Sequence, residues 1–219
     1  MTGFALPRFF LTLTVGLVAA LGLTGCGSNS FGFRDTHNKM IISVRDQKML
    51  LVRDGNPVKA YRISTSKFGT GDRPGSNCTP LGRLQVAKKI GDNAPIGSVF
   101  KGRQRTGEVI RPNAPGRDPV VTRIMWLTGT ESRNQNAFRR AIYIHGTPEE
   151  RRLGAPASFG CIRMGSRDVA DLYNRVGAGA DVYIIRGSIQ AERSNQNSTA
   201  NRPSQKPVAN GANSVASNG

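Results

Sequence analysis

What most limits the fold of this chain is the spacing of its apolar residues. Between residues 40 and 185 they fall in short runs broken by Gly, Pro, Asn or Asp. Short runs bounded by turn residues are the signature of strands. The runs are Met40 to Val44, Lys48 to Arg53, Val58 to Ser64, Arg83 to Ala87, Val120 to Leu127, Ala141 to His145 and Asp181 to Ile185. The first runs are joined by Asp54-Gly55, where a glycine tolerates the positive φ of a tight hairpin. Only one stretch repeats at helical period: Val169, Leu172, Tyr173 and Val176. Ser166 suits its N-cap, Asp168 suits the positive end of its dipole, and Gly177 suits its end. The chain therefore reads as one mainly β domain over residues 39–187, with one main helix and no internal repeat.

Two stretches interrupt that pattern. Residues 65–78 hold several Gly and a Pro, and read as a loop. Residues 91–119 are rich in Gly, Pro and Arg, with Val99-Phe100 and Val109-Ile110 as the only apolar footholds. Irregular segments of such length inside a domain are usually binding loops or lids. The expectation here is a long lid loop over a substrate, carrying Arg103, Arg105, Arg111 and Arg117.

The flanks differ in composition. Arg8 precedes an apolar core from Phe9 to Leu23, the layout of an export signal over residues 1–25. Leu23-Thr24-Gly25-Cys26 follows at once and resembles the lipobox of bacterial lipoproteins, which implies cleavage before Cys26 and lipidation of its thiol. An uncleaved anchor helix is the alternative. Residues 26–38 form a polar tether, and residues 188–219 a polar tail expected to be disordered. Gly27 gives no acidic retention signal, so in a diderm host the outer membrane is the expected destination.

Lysines and arginines number 31 against 14 acidic residues, a formal net charge of +17. Such an excess points to a polyanionic partner. Export removes nucleic acid from the candidates and leaves anionic lipid or an acidic polymer. A basic surface that serves only solubility remains open.

Three cysteines and two histidines carry the candidate chemistry. His37 sits at the edge of the tether, so His145 is the one histidine inside the domain. Strand alternation puts Ile142 and Ile144 on one face and Tyr143 and His145 on the other. Cys161 lies in a Gly-Cys turn shortly before the helix. A cysteine thiol with a pKa of about 8.5 is largely protonated near neutral pH, and a neighbouring imidazole can take that proton. The thiolate can then attack a carbonyl carbon, and the resulting thioester can pass its acyl group to an amine. Gly160 allows close approach of the backbone, and the amides of Phe159, Gly160 and Cys161 are candidate oxyanion donors. Arg163 is a candidate for substrate or oxyanion stabilisation, with a structural ion pair as its alternative. Cys78 and Cys161 could also pair as a disulfide, which would silence the nucleophile. One histidine and scattered cysteines make no metal-binding cluster, and no cofactor is expected.

The segment Ile144-His145-Gly146-Thr147 through Ala157-Ser158-Phe159-Gly160-Cys161-Ile162-Arg163-Met164 resembles the signature of the YkuD-type L,D-transpeptidases. Those enzymes carry a His-Gly-Thr strand followed by a Ser-His-Gly-Cys-Ile-Arg-Met turn. Thr79-Pro80-Leu81-Gly82 resembles their Thr-Pro-x-Gly step, and the likeness spans roughly residues 40–186. It implies a β-sandwich-like catalytic domain in which Cys161 is the nucleophile and His145 its general base and acid. It also maps the family's arginine and its Ser-x-Gly site turn onto Arg163, Ser158 and Gly160; Tyr143, Gly146, Thr147 and the lid residue Arg111 are candidates for substrate binding. The implied substrate is the peptidoglycan stem peptide: a tetrapeptide loses D-Ala and its diamino-acid carbonyl is joined to an acceptor amine. The chain departs from the pattern at Phe159, where the family usually has His. Two other readings use the same residues. One is a carboxypeptidase or amidase with water as acceptor, and the other is a wall-binding lipoprotein without catalysis.

Overall fold

The computed structural model describes residues 34–192, with residues 2, 3 and 194. Nearly all of the leader, the lipobox with Cys26, residues 27–33 of the tether and nearly all of the tail lie outside the described residues. In chain order the strands are β1 (Asn38–Ser43), β2 (Lys48–Arg53), β3 (Asn56–Ser64), β4 (Gly82–Ile90), β5 (Ser98–Lys101), β6 (Gln104–Val109), β7 (Val120–Gly129), β8 (Tyr143–Gly146) and β9 (Ile162–Met164), then helix α1 (Ser166–Arg175) and β10 (Asp181–Ile185). Short 3₁₀ turns occupy Ser132–Asn134 and Glu150–Arg152. Among the described residues no helix is long and apolar enough to cross a membrane.

The strands form one sheet in the order β4-β10-β1-β2-β3-β9-β8-β7-β5-β6, and β4 also pairs with β7. That extra pairing closes the sheet on itself and leaves the β5–β6 hairpin on the flank of β7. Most neighbours are antiparallel, whereas β1–β10 and β8–β9 run parallel. The β2–β3 turn has Asp54 at φ 49° and Gly55 at φ 82°, the two positive values that an Asp-Gly hairpin turn requires.

Alternation sends one face of the sheet inward. Met40 and Ile42, Met49 and Leu51, Tyr61 and Ile63, Leu84 and Val86, Met125 and Leu127 meet in the main core with Ile144, Ile162 and Met164. Helix α1 adds Val169, Leu172 and Tyr173 to that core, at the spacing read from the sequence. A second cluster on the other face joins Ala94, Phe100, Ile124 and Tyr143, and Cys161 packs against it. A third, of Ile41, Leu50 and Val52, is covered by Ile185 and Ile189.

Two stretches differ from expectation. Residues 98–109 of the segment expected as an irregular lid fold as the β5–β6 hairpin, because Val99 and Phe100 pair with Val121 and Val120 at the start of β7. The tail expected to be disordered from residue 188 begins in helical conformation over residues 189–192. Its Ile189 amide donates to Asp46 Oδ2 at 2.9 Å.

Candidate active site

The site is assembled where β8 meets β9. Residues Ile144, His145 and Gly146 pair in parallel with Ile162, Arg163 and Met164, which brings the start of β9, and so Cys161, beside the histidine strand. Ile144 is committed to the main core and Tyr143 to the second cluster, so His145 lies on the Tyr143 face of its strand, as alternation requires.

Gly146 explains how closely β7 and β8 approach. A Cβ there would lie 2.6 Å from the Val121 carbonyl oxygen and 3.2 Å from Thr122 Cβ. Opposite it, β7 bulges: Val121 pairs with Gly146 and Ile124 with His145, leaving Thr122 and Arg123 unopposed. Thr122 adopts φ 70°, a left-handed conformation that is costly for a β-branched residue. Its hydroxyl accepts the Gly97 amide at 2.9 Å, so the bulge is held by the start of the hairpin segment. Bulges of this kind commonly re-aim a side chain next to an active site.

His145 is buried, and its Nδ1 lies 2.8 Å from the Gly146 carbonyl oxygen. A carbonyl only accepts, so Nδ1 carries the proton and Nε2 is left with a free lone pair. Burial pushes the imidazole below its ordinary value. The Gly146 bond and the nearby Asp118 carboxylate pull it back up, and Arg163 pushes it down.

Cys161 is a free, half-buried thiol. Its Sγ donates to the Ala141 carbonyl at 3.4 Å and accepts the Tyr143 amide at 3.4 Å. Ala141 itself sits at φ 54°. Burial drives the thiol up to about 11, against smaller opposing effects from the Tyr143 amide and the Arg140 guanidinium. No hydrogen bond joins the thiol to the imidazole, and burial disfavours the charged form of each group.

The turn before the thiol is built by Ser158. Its hydroxyl donates to the Cys161 carbonyl at 2.5 Å and accepts the Gly160 amide at 3.2 Å. Gly160 takes φ 119°, and a Cβ there would meet the Cys78 carbonyl and Ile142 at 3.3 Å. This corrects one expectation: the Gly160 amide is already engaged by Ser158 and is no free oxyanion donor. The amides of Phe159 and Cys161 have no acceptor among the described residues. The Phe159 side chain is 63% exposed.

Arg163 matches the ion-pair alternative. Its side chain is only 4% exposed, donating to Asp118 and, at 3.2 Å, to Glu149. Its Nε has no partner. Thr147 is fully buried, donating to Asp118 and accepting the Glu149 amide at 3.0 Å. Gly146 likewise is buried and serves the imidazole through its carbonyl. The Tyr143 ring lies edge-on to Trp126 at 5.7 Å, and its hydroxyl accepts from Arg103 at 3.3 Å. Arg111 is exposed on the loop after β6, and its side chain bonds to no described residue.

Three residues near His145 and Cys161 were not singled out by sequence reasoning. Asp118 joins Thr147 and Arg163; its only signal is that it is an acidic residue in a basic stretch. Arg140 and Asp72 form a buried pair at 2.9 Å. Arg140 also donates to the carbonyls of Cys78 at 2.6 Å and Gly71 at 3.0 Å, fixing the loop before β4 against the site. Nothing in the local pattern around Arg140 marks it. Cys78 donates to the Phe68 carbonyl at 3.1 Å and is not disulfide-bonded. Among the described residues, no group of three or more His, Cys, Asp or Glu side chains is placed to hold a metal ion.

No curated protein matches the chain. Similar solved structures include LD transpeptidase LdtMt1 in complex with imipenem, at 17% identity over 68% of this chain and 59% of that one, TM-score 0.43. An L,D-transpeptidase from Mycobacterium smegmatis aligns at 14% identity over 68% and 58%, TM-score 0.45. Another, from Mycobacterium tuberculosis H37Rv, aligns at 19% identity over 68% and 58%, TM-score 0.45. The chain spans under two thirds of the length of each. The model of the YkuD family, the L,D-transpeptidase catalytic domain, matches residues 37–184, from the start of β1 to β10 and across both His145 and Cys161. The chain belongs to the YkuD family of L,D-transpeptidase catalytic domains.

Proposed function

We propose that this protein is a peptidoglycan L,D-transpeptidase that uses Cys161 as nucleophile and His145 as proton carrier. The observation that carries the reading is the His145 Nδ1 bond to the Gly146 carbonyl, which reserves Nε2 as a base on the strand next to Cys161. As a tetrapeptide stem docks, Sγ attacks the carbonyl carbon of the diamino acid and the thiol proton passes to Nε2. The carbonyl oxygen becomes an oxyanion facing the free amides of Phe159 and Cys161, each donor worth about 3 kcal/mol in comparable sites. Collapse breaks the peptide bond, His145 returns the proton to the leaving D-Ala amine, and a thioester remains. An acceptor amine then attacks the thioester, gives its proton to His145, and expels the Cys161 sulfur. Arg163 acts in this scheme as a positioning residue, locking Asp118 and Glu149 behind the histidine strand.

The leader supports a further part of the proposal: an exported lipoprotein, anchored through Cys26 and facing the wall. The test of activity is incubation of the protein with tetrapeptide muropeptides, read by mass spectrometry. Loss of D-Ala with new crosslinked dimers is expected, and none with Cys161→Ala. Trimmed monomers without dimers would assign water as the acceptor. Wild type indistinguishable from Cys161→Ala would overturn the enzyme reading.

A further inference from the structure

The catalytic turn carries an aromatic surface that the chemistry above does not use. Phe159, two residues before the nucleophile, packs its ring 5.4 Å from that of Phe68, tilted by 55°. Both remain open to solvent, Phe159 at 63% and Phe68 at 49%. The Lys67 ammonium sits 4.4 Å over the Phe159 ring and 5.2 Å over the Phe68 ring. Lys67 has no carboxylate partner among the described residues.

This surface is fixed to the site rather than hanging from it. Ser66 and Ser158 form a parallel bridge, and the Lys67 amide donates to the Ser158 carbonyl at 3.1 Å. The Phe68 amide donates to Ser66 Oγ at 3.0 Å, and that hydroxyl donates to the Asn77 carbonyl at 2.5 Å. Thr79 closes the frame, accepting the Ser66 amide at 3.0 Å and donating to the Gly160 carbonyl at 2.9 Å. Two large rings held in water by a buried hydrogen-bond frame, beside a nucleophile, have no role in the core. An ammonium resting on ring faces keeps donors free for an anion.

We propose that Lys67, Phe68 and Phe159 form a substrate subsite that takes a carboxylate borne on an aliphatic peptide residue. The carboxylate pairs with the Lys67 ammonium while the neighbouring carbons lie on the two rings. The single positive charge and the position at the edge of the Cys161 turn fit one peptide carboxylate better than a lipid or polyanion surface, which would need a cluster of cations. The subsite rests on the substrate part of the transpeptidase reading, because the stem peptide is what brings carboxylates to this turn.

The test is binding, so it does not depend on turnover. The full chain carrying Cys161→Ser is titrated with a tetrapeptide stem by calorimetry. Adding Lys67→Ala or Phe159→Ala should each weaken Kd about fivefold or more, and Lys67→Arg should restore part of the loss. Stems amidated at the terminal D-Ala or at the diamino-acid carboxylate identify which group docks. For that stem the Lys67→Ala penalty should vanish, as a double-mutant cycle requires for a direct contact. Unchanged Kd in Lys67→Ala and Phe159→Ala, a Lys67→Ala penalty that survives both amidations, or no measurable binding by the Cys161→Ser parent would each overturn the subsite. Absence of D-Ala release by wild type, with these binding losses intact, would reject the transpeptidase reading while leaving the subsite standing.

Discussion

The protonation state of the resting Cys161–His145 pair gives the sharpest prediction. Burial raises the thiol to about 11 and lowers the imidazole below its ordinary value, so both effects oppose a preformed thiolate–imidazolium pair. At pH 7 a thiol titrating near 11 is thiolate in only about one part in 10⁴, against roughly 3% for an unperturbed cysteine near 8.5. The higher basicity makes each thiolate more nucleophilic, by about tenfold over 2.5 units at a Brønsted slope of 0.4–0.5. The net expectation is alkylation about 30-fold slower than that of a free cysteine at pH 7.

The assay is iodoacetamide modification followed by peptide mapping, which separates Cys161 from Cys78, across pH 6 to 11. The Cys161 rate should climb about tenfold per pH unit up to pH 10, where a free cysteine has already levelled off. His145→Ala should leave that slope unchanged, because a small reagent needs only the thiolate. The same variant should lose about 10²–10⁴-fold in D-Ala release, the usual worth of a positioned general base. A plateau in the Cys161 rate below pH 8, abolished by His145→Ala, would refute the neutral resting pair.

Three further outcomes follow from the packing around this pair. Asp118→Asn removes one of the two carboxylates on the buried Arg163, and should cost about 3 kcal/mol in urea unfolding at unchanged m-value, the lower end for breaking a buried pair because Glu149 remains. Gly146→Ala puts a Cβ 2.6 Å from the Val121 carbonyl, which must force β7 and β8 apart. A loss of about 1–3 kcal/mol is expected, with D-Ala release falling further than stability explains, since Gly146 also orients the imidazole. The His145 pKa is lower in the folded than in the unfolded state, so its contribution to stability is present above about pH 6.5 and lost as the pH falls below it. Unfolding free energies measured from pH 7.5 to 5 should therefore decline less steeply in His145→Gln than in wild type.

The strands with buried alternating residues were legible because their pattern is local. Met40 to Val44, Lys48 to Arg53 and Val120 to Leu127 declare their period without help from the rest of the chain, and so does α1. The β5–β6 hairpin was not legible, because every residue of β6 is exposed and β5 owes its place to pairing with β7. Strand β9 is three residues long, and it exists only because β3 and β8 flank it. Closure of the sheet through β4 is equally non-local, since one strand pairs on both edges with partners far along the chain. In the site, the placing of the Cys161 turn next to the His145 strand could be expected from the motif. The motif gave no means of telling that Ser158 would engage the Gly160 amide, or that Arg163 would face two carboxylates from other segments.

Those carboxylates change what the basic composition means at the point of chemistry. A net charge of +17 suggests a strongly positive site in which a thiolate would form readily. The two arginines that act on the reacting groups are both neutralised instead: Arg140 by Asp72, and Arg163 by Asp118 and Glu149. Each pair also ties a loop to the site, residues 71–78 on one side and the stretch through Asp118 on the other. The arginines thus supply rigidity more than potential, and burial is left to set the thiol. Under the proposed mechanism, a Cys161 thiol held this way stays poorly reactive until a bound peptide brings its carbonyl to Sγ and His145 takes the proton in the same step. Among the exposed cations, Lys67 is tied directly to the Cys161 turn, its amide donating to the Ser158 carbonyl and its ammonium lying over the Phe159 ring, which is why the proposed subsite is placed there. Buried arginines fix the geometry of these loops, and the proposed subsite leaves reception of the stem peptide to a surface cation, Lys67.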